Sequence, residues 1–215
     1  MTTFGYSSSL VVRGTGAFVA GADVTEFKDR DLVEQRTASE RPRIYETVAN
    51  VTIPVIARIN GHALGGGCEL AQACDIRIAE AGVKLGQPEI NLGLIPGGGG
   101  TQRLTRLVGE GQAMRLILSG ELISAEEAKQ LGLVDEVYDT DGIDDAVYSL
   151  ANSMAEKSPI AIELAKKAIK ASSRMGIEDG LEYESELFVQ LFATADKNEG
   201  IAAFLEGREP EFTGE

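Results

Sequence analysis

The stretch Gly61-His-Ala-Leu-Gly-Gly-Gly-Cys-Glu-Leu70 decides how the rest of the chain is read. It follows Ile53-Pro-Val-Ile-Ala-Arg-Ile59, a β-branched run that reads as a strand with Pro54 at its start, where a missing N–H is tolerated. A helix is expected to open at Gly65–Gly67 and to run to about Cys74. Glycines at this junction let the backbone present its N–H groups with no side chain in the way. The start of a helix adds partial positive charge. No basic side chain accompanies the cluster, which suits a developing oxyanion better than a standing phosphate. Glu69 falls in the first turn, as a catalytic carboxylate or as a surface carboxylate that complements the helix dipole.

A second cluster lies downstream: Gly86-Gln-Pro-Glu89, then Gly93-Leu-Ile-Pro-Gly-Gly-Gly-Gly-Thr101. The glycine run is long for a turn. Glu89 sits among Pro, Ile and Leu, company that raises a carboxyl pKa; the other reading is a loop carboxylate that caps glycine N–H groups. Upstream, Gly14-Thr-Gly-Ala-Phe-Val-Ala-Gly-Ala-Asp23 follows the short strand Leu10–Arg13. Gly14 and Gly16 fit the start of a dinucleotide loop, but Val19 stands where its third glycine belongs, so the fingerprint fails. By itself this cluster reads as a turn.

Outward from these clusters the chain alternates short strands and helices, which implies an α/β core. Asp31–Asn50 reads as one helix, with Ile44, Val48 and Val51 at helical spacing. Asp75–Ala79 reads as a strand, Lys84-Leu85-Gly86 as the start of a loop, and Thr101–Leu107 and Gly111–Leu118 as helices. Ser124-Ala-Glu-Glu127 is a capping box, and Gly132 suits the residue that closes its helix. Leu133–Tyr138 returns as a strand. From about Gly142 the pattern is helical, with Ser158-Pro159 as an N-cap followed by proline. Two apolar stripes follow: Ile160, Leu164, Ala168 and Ile169, then Leu181, Leu187, Phe188, Leu191 and Phe192. They need covering by their own core or by another subunit. The expected organisation is a core over residues 1–140 and a helical region over 141–215.

Composition limits the chemistry. The 215 residues carry a formal net charge of -14, which repels phosphate backbones, so nucleic acid is not an expected partner. Such acidity suits plain solubility or adaptation to high salt. No apolar run approaches the roughly 20 residues that span a bilayer, and residues 1–12 lack a signal-peptide pattern. A cytoplasmic location without membrane attachment is the expectation. Cys68 and Cys74 lie on different sides of one helix and are not placed to bridge. With His62, which follows a glycine, as the single histidine, no His-based triad can be ruled in; no zinc spacing exists, and no metal is expected. Carboxylates, backbone dipoles or a borrowed cofactor must do the work.

Taken together, Ile56-Ala-Arg-Ile-Asn-Gly61 through Gly65-Gly-Gly-Cys-Glu-Leu-Ala-Gln-Ala-Cys-Asp75-Ile76 resembles the signature segment of the enoyl-CoA hydratase/isomerase (crotonase) family. Phe18-Val-Ala-Gly-Ala-Asp23 resembles that family's CoA-binding and first oxyanion loop, and Leu85–Glu89 its second catalytic segment. Ile95-Pro-Gly-Gly-Gly-Gly-Thr-Gln-Arg-Leu104 and Ile123-Ser-Ala-Glu-Glu-Ala128 also match, in the same order.

The resemblance implies an α/β spiral of ββα turns with a C-terminal helical region that makes a homotrimer or a dimer of trimers. It implies that the N–H groups of Ala22 and Gly66 hold the thioester oxygen. Ala20, Ala22, Asp23, Val24 and Gly66 would line the CoA and substrate path, and Glu69 and Glu89 would hold one water. The implied reaction is hydration of 2-enoyl-CoA thioesters, as in fatty acid β-oxidation. It needs no cofactor, because coenzyme A is part of the substrate. A family isomerase, another acyl-CoA chemistry of the family, or an inactive truncated member are the alternatives.

Two departures stand out. Members usually begin with roughly 50 further residues, a large share of a domain by ordinary length priors. Basic residues for the CoA phosphates are not evident either: Thr25 follows the Ala-Asp motif, and Phe212-Thr213 stands where many members have Phe-Lys.

Overall fold

The computed structural model describes residues 9–14, 18–19, 21, 23–40 and 43–215. The chain divides into two compact units. The larger one, Val11–Val51 with Val55–Val147, contains the glycine clusters at residues 61–67 and 86–100 and both glutamates. The other gathers Ser9 and Leu10, Thr52–Pro54 and Tyr148–Glu215.

In the larger unit, β1 (Leu10–Arg13), β2 (Val55–Ile59), β4 (Ile76–Glu80) and β7 (Glu136–Tyr138) form one sheet in the order β1-β2-β4-β7. β2 runs parallel to β4, and β4 parallel to β7. Every residue of β2 is buried, Arg58 included, as in a strand covered on both faces. A second sheet holds β3 (Ala63–Leu64), β5 (Lys84–Gly86) and β6 (Leu122–Ser124), with β3 parallel to β5 and β5 antiparallel to β6. Two buried arginines on these strands pair with aspartates. Arg58 Nε meets Asp144 Oδ1 at 2.5 Å, and Arg77 donates to Asp135 at 3.0 Å and to the Leu133 carbonyl at 2.9 Å.

The helices of this unit follow the expected start and stop signals, with two differences. Residues 31–50 form two helices, α1 (Leu32–Ala38) and α2 (Ile44–Ala49), rather than one. The sequence signal for the break is the proline at 42, which cannot donate a helical hydrogen bond. Val48 and Val51 pack on the core, but Ile44 is exposed. Lys84–Gly86 is a strand rather than a loop, since it pairs on both edges. Helix α3 (Gly66–Ala73) starts within the glycine run, with Gly65 as its N-cap. α4 (Gly100–Val108), α5 (Glu110–Ser119) and α6 (Ala125–Leu131) follow. Ser124 caps α6 by accepting from the Glu127 N–H, and Gly132 closes it at φ 83°. Cys68 and Cys74 are both buried free thiols.

The other unit is helical. From Tyr148 it takes the later turns of α7 (Ile143–Ala155), then α8 (Pro159–Ala171), α9 (Ile177–Gln190) and α10 (Ala195–Glu206). Ser158 caps α8 ahead of Pro159. Asp196, 2% exposed, accepts from the N–H groups of Thr213 and Gly214 and so fastens the C-terminal tail. Of the second apolar stripe, Leu187 is buried, whereas Leu181, Phe188 and Phe192 are exposed. Ile177, Phe204 and Leu205 add to this bare apolar surface. Among the described residues no helix is long and apolar enough to cross a membrane.

Candidate active site

Glu69 lies on the first turn of α3, and Glu89 opens the 3-10 turn Pro88–Leu92. Parallel pairing of β3 with β5 brings the two segments together, since Leu64, just before the glycines, sits beside Gly86, just before the Gln-Pro-Glu run. Gly65 joins the strand to the helix at φ 51°, a conformation that side chains rarely adopt. A Cβ at Gly65 would lie 3.1 Å from Glu89 Oε1. Gly67 answers to a different constraint, because a Cβ there would lie 1.9 Å from the Val19 carbonyl oxygen. The Val19 segment and α3 therefore pack backbone to backbone.

Both glutamates line one cavity of about 510 Å³. Glu69 is 3% exposed, and its Oε1 accepts from the N–H groups of Gly98, at 2.6 Å, and Gly100, at 2.8 Å. The long glycine run thus supplies donors to a carboxylate. Glu89 is half-buried and held differently. With its amide turned as the surrounding hydrogen-bond network requires, Gln87 donates from Nε2 to Glu89 Oε1 at 2.9 Å and to Oε2 at 3.1 Å. Gln87 in turn accepts from Gln72 Nε2 at 2.9 Å, and Gln72 also donates to Cys68 Sγ at 3.2 Å.

Burial pushes the Glu89 carboxyl up to about 7, with the charge of Glu69 adding to the push and the N–H of Glu89 itself opposing it. The Gln87 donors also favour the charged form and are a further counterweight. Burial likewise raises the Tyr45 phenol, and the Glu69 charge adds to that. Burial raises the Cys68 thiol to about 12, so this buried cysteine is a poor nucleophile.

Gly66 lines the cavity as the first residue of α3, where helical N–H groups have no intrahelical partner. Val24 also lines it. Asp23 is exposed and caps the 3-10 turn Val24–Phe27, accepting from Thr25 N at 2.9 Å and Thr25 Oγ1 at 2.7 Å. These bonds hold its carboxyl below the usual range. Ala20 and Ala22 lie outside the described residues. Apolar walls come from Phe27, Leu64, Leu92, Leu94 and Ile95.

Sequence reasoning missed Tyr45, Arg43 and the specific task of Gln87. Tyr45 and Arg43 reach the cavity from α2, far from either glycine cluster, and no local pattern marks them. Gln87 stood inside a quoted segment, and a polar side chain between Gly86 and Pro88 was its only sign.

An anchored carboxylate, a second carboxyl that titrates near neutrality, and a Gly66 N–H with no partner among the described residues make an acid–base site. It suits substrates whose carbonyl oxygen gathers charge during reaction. Residues 9–215 match the family model described as enoyl-CoA hydratase/isomerase. The 2,3-dehydroadipyl-CoA hydratase of Escherichia coli is 43% identical over 208 residues, covering 96% of this chain and 81% of that one. The short-chain-enoyl-CoA hydratase of Clostridium acetobutylicum is 41% identical, covering 94% and 79%. A crystal structure of enoyl-CoA hydratase from Bacillus anthracis superposes with a TM-score of 0.91 at 42% identity, covering 96% and 81%. The chain belongs to the enoyl-CoA hydratase/isomerase family.

Proposed function

We propose that the chain hydrates the 2,3-double bond of 2-enoyl-CoA thioesters, with Glu69 as base and Glu89 as acid. The observation that carries this is the pairing of two unlike carboxyl groups on one cavity. Oε1 of Glu69 is committed to two backbone donors, which leaves Oε2 for a water. Glu89, raised to about 7, retains a proton to give near neutral pH. The water oxygen bonds to C3 as its proton passes to Glu69. The C2–C3 π electrons move toward the thioester, whose oxygen takes up negative charge. The proton of Glu89 then goes to C2 and the carbonyl re-forms. Glu69 ends protonated and Glu89 ionised, and proton exchange through water restores the pair.

The N–H groups of Gly66 and Ala22 are the proposed oxyanion donors, worth about 2.7–4 kcal/mol each by analogy with other acyl-transfer sites. Coenzyme A is assigned to the path along Ala20, Ala22, Asp23, Val24 and Gly66, with the acyl chain against the apolar walls. No further cofactor or metal enters this scheme. The proposed setting is the cytoplasm. The bare apolar side chains Ile177, Phe188, Phe192, Phe204 and Leu205 support assembly into a homotrimer or dimer of trimers through the region 141–215, with residues 1–140 as the catalytic core.

The test is loss of the conjugated enoyl-thioester absorbance with a short 2-enoyl-CoA. Glu69→Gln and Glu89→Gln should each lose on the order of 10²-fold or more in kcat, with KM little changed. Double-bond migration without net hydration, abolished by Glu89→Gln alone, would replace the hydratase reading with an isomerase.

A further inference from the structure

The carboxylate of Glu69 is aimed by N–H groups of a loop that has almost nothing of its own to hold it. Residues 97–100 are all glycine. The two donors to Glu69 belong to different peptide planes. The Gly100 N–H shares its plane with the Gly99 carbonyl, which accepts from Gln102 N and Arg103 N and is thereby fixed by the first turn of α4. The Gly98 N–H shares its plane with the Gly97 carbonyl, and that carbonyl accepts from Arg43 Nη2.

A trans peptide unit is flat and rigid, with its C=O and N–H directed to opposite sides. The Gly97–Gly98 plane therefore has the Arg43 guanidinium on one side and the Glu69 carboxylate on the other. Rotating the plane to break one bond breaks the other. A cation at the carbonyl also polarises the unit and strengthens its N–H as a donor. Arg103 Nη1 grips the following carbonyl, on Gly98, at 2.7 Å, and so steadies the loop without touching the plane of either donor.

The position of Arg43 is itself constrained. It stands at the N-terminal boundary of α2, where its N–H donates to Glu46 at 3.1 Å, and its guanidinium carbon lies 5.4 Å from the centroid of the Tyr45 ring. Tyr45 and Glu69 converge on the same glycine: a Cβ at Gly98 would lie 2.6 Å from both Tyr45 Cζ and Glu69 Oε2.

The geometry points to Arg43 as a positioning residue for hydration, acting through the Gly97–Gly98 peptide to aim Glu69. The inference rests on Glu69 being catalytic, as proposed above. It assigns a task to α2, which carries neither glutamate and follows neither glycine cluster.

The experiment is a double-variant cycle on hydration of a short 2-enoyl-CoA, with kcat and KM measured separately. Arg43→Met keeps an apolar stem and removes every donor. It should lower kcat by about tenfold or more, as misplacement of a reacting group does, and leave KM within about twofold. Arg43→Lys keeps the charge and a donor and should recover most of the rate. In a Glu69→Gln background Arg43→Met should cost less than about twofold, because the group it aims is gone.

Unchanged kcat in Arg43→Met overturns the inference, and so does a loss that appears in KM and persists beside Glu69→Gln, which would make Arg43 a substrate contact. If Arg43→Met does not fold, Arg43→Gln must show the same confinement of the loss to kcat, with Arg43→Lys retaining most of the parent's rate. A Glu69→Gln variant of full activity is a separate result and removes the reading of Glu69 itself.

Discussion

Glu69 and Glu89 are the same residue type on the same cavity, yet the structure holds them by different means. Glu69 is almost wholly buried and anchored by backbone N–H groups from a glycine loop. Glu89 is half-buried, held by the side-chain amide of Gln87, and raised to about 7. What differs is the support. Rigid peptide donors suit a group that must stay an acceptor in a fixed place. A side-chain amide beside an apolar wall suits a group that must gain and lose a proton near neutral pH. The comparison can be broken from either side.

Gly98→Ala attacks the Glu69 side and should have the largest effect. The new Cβ would sit 2.6 Å from Glu69 Oε2 and 2.5 Å from Tyr45 Cε2, so the carboxylate or the loop must move. A shift of that size should cost on the order of 10²-fold in kcat; a near-normal rate would show that the position of Glu69 is unimportant. Gln87→Leu attacks the other side. It removes both amide donors from Glu89, which favoured its charged form, so the Glu89 pKa rises. The fall of kcat on the alkaline side should move to higher pH, with a loss of about tenfold at the optimum. An unmoved limb would detach Gln87 from Glu89.

Glu69→Gln removes the like charge that helps raise Glu89, so in the residual activity the same limb should move to lower pH. The smallest effect is on stability. A carboxyl raised in the folded state binds its proton more tightly there than in the unfolded chain. Its contribution is most favourable below the ordinary value of 4.5 and declines as pH rises through about 7. Replacing Glu89 with Gln removes this decline, so the Tm advantage of Glu89→Gln over the parent should be larger at pH 8 than at pH 5. An equal difference at both would mean that Glu89 is not strained by burial.

Much of this was legible in the sequence because glycine and proline punctuate it. The strand into Gly65–Gly67, the helix carrying Glu69, and the caps at Ser124, Gly132 and Ser158 are local signals with local causes. The break within residues 31–50 was missed because the apolar spacing of Ile44, Val48 and Val51 outweighed one proline in the reading. Lys84–Gly86 was missed as a strand because three residues carry no period, and only pairing with β3 and β6 defines it. The supports of the two glutamates were illegible for a related reason. Glycine N–H groups reach Glu69, and the Arg43 guanidinium reaches the Gly97 carbonyl behind them, through tertiary approach, and no spacing along the chain encodes that meeting.

The central claim is that the two glutamates act as one acid–base unit. The measurement that tests it most directly is kcat for hydration of a short 2-enoyl-CoA in Glu69→Gln, in Glu89→Gln and in the double variant. Groups that act as a unit are non-additive, so each single variant should lose on the order of 10²-fold or more, and the double variant should fall within about tenfold of the slower single. A single variant with the parent's rate, or a double variant whose loss is the full product of the two singles, would contradict the account.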